Sequence, residues 1–179
     1  MTLTATIYNL KINLSDIDRG VYESLDLRVA QQPSETMEFM LLRVLAYCLE
    51  YRDGILFTKG VAAGSDPAVM VRDLTGRITA WIEVGMPDAD RVHRGMKLAG
   101  TAAVYTHKDP RKLVAHLTAG EIHRAPEIPI YAIDIRFIKE LADLIERRSE
   151  LSLSVTDREI FLSIGNRNLT TTINEHRII

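Results

Sequence analysis

Glu38 and Glu83 sit within apolar stretches of the chain, and Asp66 precedes Pro67 at the start of a stretch expected to pair with the one carrying Glu83. An unpartnered buried carboxylate is costly, so both glutamates require a compensating donor or a chemical task. If Glu38, Asp66 and Glu83 converge, they offer hard oxygen ligands for Mg2+ or Mn2+, ions that polarise a phosphodiester and activate water. The structural alternative for Glu38 is a side chain that reaches the rim of its helix or pairs with a backbone or arginine donor.

Downstream of Glu83, Arg91, Arg94 and Lys97 recur every third residue, which on a helix makes one basic stripe. The stripe is either a phosphate clamp or a solvated face on which Asp90 pairs with Arg94 one turn away. Other chemistries find less support: His107, His116, His123 and His176 lack short metal-ligand spacing, no Ser or Cys lies in a nucleophile elbow, and glycine-rich phosphate loops are absent.

The elements that must position these residues follow from apolar periodicity. Alternation over residues 3–14, with a phase slip at Ile7-Tyr8, predicts a bulged strand, and alternation from Val21 to Val29 predicts its hairpin partner. A helix is expected from Pro33-Ser34 to about Tyr51, capped by Ser34, with Thr36, Arg43 and Glu50 on a narrow polar face and Glu38 near the centre of the opposite, apolar face. Strands at 54–58, 68–72 and 77–85 form a three-stranded antiparallel unit. Helices at 87–99, 110–119 and 135–148 alternate with strands at 102–106 and 128–133, and a meander closes the chain.

Glu83 shares a strand face with Trp81, and the Asp73-Leu-Thr-Gly76 turn decides whether Asp66 joins them. A two-residue turn at Leu74-Thr75 sets Asp66 opposite Glu83, and one at Thr75-Gly76 leaves them on one face. A three-residue turn with a glycine bulge puts them on opposite faces unless Asp66 lies off the ladder.

With 179 residues the chain reads as a single domain, with a core of about 33–148 and accessory β segments at 1–32 and 149–179 that pair into an additional antiparallel sheet. The class is α+β with an α/β centre. The 46% hydrophobic and 26% charged composition is that of an ordinary globular chain, and the net charge of −2 leaves attraction for a polyanion to local patches. Six Lys against sixteen Arg favour planar contacts to carboxylate or phosphate. The lone Cys48 lies in an apolar helix, and neither a secretory signal nor an apolar run of about 18 residues occurs, so a cytoplasmic protein with no membrane partner is expected.

Ala5-Thr-Ile-Tyr8, Pro33-Ser-Glu-Thr36, Asp66-Pro67, Trp81-Ile-Glu-Val-Gly85 with Pro87, and Val104-Tyr-Thr106 together resemble the YaeQ family over most of the chain. The resemblance implies a core like that of the PD-(D/E)XK nuclease superfamily, with a divalent-metal site. By that analogy Glu38, or else Glu35, matches the first-helix glutamate, Asp66 the aspartate of the second strand, and Glu83 the acid of the third. Gly85 stands where the superfamily has lysine, and the analogy moves the basic residue to Arg94, with Lys97 one turn on as a substitute. Arginine steadies phosphate charge but stays protonated and cannot act as a base. The implied activity is metal-dependent phosphodiester hydrolysis on nucleic acid. The alternative is a nuclease fold that binds protein or nucleic acid without cutting.

Overall fold

Apolar residues at every second position oblige the two ends of the chain to lie as strands with one buried face. A computed structural model describes residues 3–58 and 65–179, and in them mixed α and β elements form two sheets and four α-helices. The chain divides into two compact units, Met1–Val44 with Ile133–Ile173, and Leu45–Ala132 with Asn174–Ile179. No helix among the described residues is long and apolar enough to cross a membrane.

In the first unit β1 (Thr6–Asp16) and β2 (Val21–Gln31) form the expected hairpin, in unbroken register from Thr6↔Gln31 to Asp16↔Val21. The bulge expected at Ile7-Tyr8 is absent, because the strand begins at Thr6 and Leu3 is 74% exposed, outside the buried alternation. The terminal segments do join one sheet, in the order β10-β9-β8-β1-β2, where β8 is Arg148–Thr156, β9 Glu159–Ile164 and β10 Arg167–Thr172. Its seam is not antiparallel as expected: β1 and β8 run parallel, from Asn9↔Arg148 to Asp16↔Val155. Antiparallel strands connect by short hairpins, whereas a strand reached after more than a hundred intervening residues is free to return in either direction.

Helix α1 (Met37–Leu49) starts later than Ser34, at a cap formed by Thr36, whose hydroxyl accepts from the Phe39 amide at 3.1 Å. Of the expected polar face, Thr36 is exposed and Glu50 half-buried, but Arg43 is buried in an ion pair. Glu35 carries both oxygens against Arg43, at 2.6 Å from Nε and 2.8 Å from Nη2, and Arg43 also donates to the Ala30 carbonyl at 2.9 Å. Both side chains are nearly inaccessible. Helix α4 (Ile135–Leu144) stops short of Arg148, because Arg147 is drawn into pairing with β1: its Nε donates to Ile7 O, and its own carbonyl accepts from Asn9 N, both at 2.8 Å.

In the second unit β3 (Ile55–Phe57), β4 (Val69–Arg72) and β5 (Ile78–Val84) form the anticipated antiparallel trio. From β5 the chain crosses through α2 (Ala89–Ala99) to parallel β6 (Ala102–Thr106), and through α3 (Pro110–Thr118) to parallel β7 (Pro129–Ala132). Parallel neighbours require such crossovers, and the helices bury one face of the sheet. Trp81, Val104 and Ile130 share a core there with Val92, Met96 and Leu113 of the two helices. The last strand, β11 (Asn174–Arg177), completes the order β11-β7-β6-β5-β4-β3.

Removing one partner of a buried ion pair strands the other charge in a low-dielectric interior, a loss of about 3–5 kcal/mol. Arg43→Met is expected to lower unfolding free energy by that amount in urea titration. Combining it with Glu35→Leu should recover most of the loss, since the pair as a whole contributes far less than its halves cost when separated.

Candidate functional site

The turn between β4 and β5 sets up the site by parity. Asp73 N donates to Arg77 O at 2.9 Å and Gly76 N to Asp73 O at 3.0 Å, with Gly76 at φ +86°, so Leu74-Thr-Gly76 is a three-residue loop with a glycine bulge. Alone, that loop would place Asp66 and Glu83 on opposite faces. The ladder then shifts between Arg72↔Ile78 and Val71↔Ala80, leaving Thr79 as one extra residue on β5, its hydroxyl donating to Val71 O at 3.3 Å. This second bulge restores even parity, so Met70 pairs with Trp81 and Val69 with Ile82.

Glu83 pairs across β6 with Val104, which in turn pairs with Ile130 across β7, so the carboxylate stands in an apolar row on the face that α2 covers. It is 4% exposed. Its Oε1 accepts from Trp81 Nε1 at 2.9 Å and lies 3.3 Å from Arg91 Nη2. Burial holds its pKa above the usual 4.5, and the Arg91 guanidinium and the Trp81 N–H oppose that rise without cancelling it.

Arg91 Nη2 also donates to the Asp66 carbonyl, at 2.6 Å. One guanidinium nitrogen thus bridges the Asp66 backbone carbonyl and the Glu83 carboxylate. The Asp66 side chain is half-buried and makes no ion pair or hydrogen bond among the described residues. Arg94 donates to Ser65 O at 2.8 Å and lies over the Trp81 ring, 5.8 Å from its centre, in place of the expected pairing with Asp90. The two arginines hold the Ser65-Asp66 backbone against α2, which outcompetes an exposed helical ion pair. Lys97 is exposed and unpaired among the described residues.

The first-helix candidates belong to the other unit. Glu35 is committed to Arg43, whereas Glu38 is half-buried in the first turn of α1, with no ion pair or hydrogen bond among the described residues. Among the described residues no group of three or more His, Cys, Asp or Glu side chains is arranged to hold a metal. Gly85 has φ +90° and donates to Tyr105 O at 2.8 Å, a conformation that strains a lysine at that place.

Two residues shape the site in ways that local sequence pattern does not single out. Arg91 was one cation of a stripe, although its step from Gly95, four residues on, places it at the margin of the helix's buried face. Gly95 itself sits on Trp81: a Cβ there would lie 2.2 Å from the indole. A glycine on the apolar face of a helix that follows a Trp-x-Glu strand is the signal that points to such close packing.

A family model described as YaeQ protein matches residues 1–173. The chain belongs to the YaeQ family. It is 30% identical over 171 residues to the "Uncharacterized protein YaeQ" of Escherichia coli (strain K12) and 28% identical over 170 residues to that of Salmonella typhi, with 94% of each chain covered in both cases. Its fold matches the crystal structure of the YaeQ protein from Xanthomonas axonopodis pv. citri with a TM-score of 0.89 and 28% identity, over 98% of this chain and 100% of that one. The YaeQ protein from Pseudomonas syringae matches with a TM-score of 0.87 and 27% identity, over 96% and 95%.

Two expectations test this YaeQ site. Because the folded-state pKa of Glu83 is raised, the folded protein keeps a proton that the unfolded chain has already released. Stability therefore falls as pH rises from about 4.5 toward the raised value, then levels. The melting temperature of Glu83→Gln should lack this component, so the wild-type minus variant difference declines across that interval. Gly95→Ala should overpack the indole by at least about 1–3 kcal/mol, and should shift the emission of Trp81, the chain's single tryptophan.

Proposed function

We propose that the chain is a nuclease-like protein with a PD-(D/E)XK-type core, whose β4–β5–α2 site serves metal-dependent hydrolysis of phosphodiesters in nucleic acid. The observation that carries this reading is the convergence of the Asp66 carbonyl and the Glu83 carboxylate on a single cationic nitrogen of Arg91. Hard oxygens that already meet around one positive centre form the donor type that Mg2+ and Mn2+ take, and the Asp66 carboxylate, which makes no ion pair or hydrogen bond among the described residues, would add to it. Mg2+ sites of this kind use one or two carboxylates and complete their shell with water and substrate phosphate, so a three-carboxylate cage is not required. Asp66 and Glu83 would hold the ion. When bound, the ion supplies Lewis-acid polarisation of the phosphoryl oxygen and a water made acidic enough to attack.

The remaining tasks fall to this chain's side chains. Trp81 orients Glu83 through its N–H, and Gly95 lets α2 close over the indole, keeping water from the carboxylate. Arg94 stands one turn beyond Arg91 on the Ser65-Asp66 segment and is placed to steady phosphate charge, with Lys97 exposed a further turn along. Neither the Gly85 position nor Arg94 supplies a base, so proton removal is left to Lys97 or to solvent.

A specific observation favours a second reading, a nuclease fold that binds protein or nucleic acid without cutting: Glu83 already holds two donors, as a structural carboxylate does. Purified protein is to be incubated with single- and double-stranded DNA and RNA in Mn2+, beside Glu83→Gln confirmed as folded by melting. Cleavage in the wild type and its loss in the variant are expected. No cutting by either folded protein overturns hydrolysis and leaves the binding module. In parallel, Mn2+ should raise the melting temperature of the wild type by mass action, more so in Arg91→Ala, where the competing guanidinium is gone, and not at all in Glu83→Gln.

A further inference from the structure

The first unit ends its sheet on an unusually long free strand. β2 spans eleven residues, lies at one margin of the order β10-β9-β8-β1-β2, and contains neither proline nor lysine, the residues that most often blunt an edge. Its backbone polarity follows from its neighbours. Asn9 N donates to Arg147 O and Ile17 N to Val155 O, so the odd-numbered residues of β1 turn their amides and carbonyls toward β8. The even-numbered residues of β1 therefore bond β2, and the register Leu10↔Leu27 makes the odd-numbered residues of β2 their partners. Tyr22, Ser24, Asp26 and Arg28 thus direct their N–H and C=O groups out of the sheet edge. The donation from Arg43 to Ala30 O fits the same phase.

Asp26 and Arg28 are exposed, and neither makes an ion pair or hydrogen bond among the described residues. We propose that β2 is a self-recognition edge, where a second copy of this chain adds antiparallel through a two-fold axis at Leu27, with Asp26 of each copy opposite Arg28 of the other. Among axes at the centre of the strand, from Asp26 to Arg28, charge and backbone phase select the register. Axes between residues set outward-pointing backbone groups against inward-pointing ones and leave the ladder unbonded. An axis at Asp26 or at Arg28 places like charges directly opposite, which is repulsive. The axis at Leu27 makes both Asp–Arg pairs hydrogen-bonded neighbours and sets Leu25 opposite Val29. Those side chains are buried on the inner face, so the apolar row of one copy continues into the other. The contact is isologous, as a closed two-fold dimer requires. An interface of a few main-chain bonds and two ion pairs is small, and a weak dimer that is strengthened at low salt is expected.

Sedimentation equilibrium of the full chain over a concentration series at low salt tests this. The wild type should self-associate to a dimer. Arg28→Asp should raise the dissociation constant by about tenfold or more, since both pairs become repulsive. The charge swap Asp26→Arg with Arg28→Asp should restore dimerisation, with melting curves showing that all three proteins are folded. A wild type that stays monomeric throughout the series overturns the proposal and assigns the edge to a strand of different chemistry. Equal association of all three proteins overturns it too, by showing that the dimer forms elsewhere.

Discussion

A carboxylate buried in the middle of β5 cannot stand without a cation, and the way the second unit meets that demand governs its geometry. Arg91 reaches Glu83 only because α2 lies close on the sheet, and α2 lies close only because Gly95 leaves room for the Trp81 ring. The same guanidinium nitrogen reaches the Asp66 carbonyl, so compensating the charge also fixes the segment that leads into β4. Arg94 repeats the device one residue earlier, at Ser65, while stacking on the indole that donates to Glu83. Helix, strand and connecting segment are tied at one point, and desolvation of Glu83 is what makes each of those ties valuable.

The turn chemistry serves that point through parity. Asp73 accepts from the amides of Thr75 and Arg77 and from the Thr75 hydroxyl, which holds its carboxyl below the usual range and commits the hairpin to an odd loop. An odd loop flips every side chain of one strand relative to the other, and Thr79 undoes the flip by inserting one residue. The pair of irregularities is neutral for strand pairing and places the extra residue, Thr79, two positions before Trp81. Bulges near functional sites re-aim side chains in this manner.

Local patterns made much of this legible. Period-two alternation identified β5 and put Trp81 with Glu83, and helical spacing identified α2 and its basic side. What escaped were outcomes decided by distant partners. Arg43 reads as the polar side of a helix because nothing in its own neighbourhood shows that Glu35 folds back onto it. The parallel seam between β1 and β8 is invisible to alternation, which is the same for either direction. The turn at Asp73 was correctly reduced to a few alternatives, but the compensating insertion at Thr79 depends on cross-strand pairing that no single strand encodes. Within the candidate site, residue type and spacing single out Asp66 and Glu83. The guanidinium that joins them is not singled out, because an arginine stripe looks alike whether it faces solvent or a buried acid.

That ambiguity has a physical consequence for how such a site evolves. A buried glutamate with a raised pKa can be balanced by a proton or by a guanidinium, and the two compete for the same oxygens. Gly85 closes off a third arrangement, because the positive φ that turns the chain from β5 toward α2 strains any residue with a Cβ two positions after the acid. Cationic partners must then come from the following helix, whose first two turns present Arg91 and Arg94 to the same loop. The balance among occupants is consequently set by helix α2 rather than by the strand. Changes at Arg91 or Arg94 therefore alter how Glu83 is compensated without altering the strand that carries it.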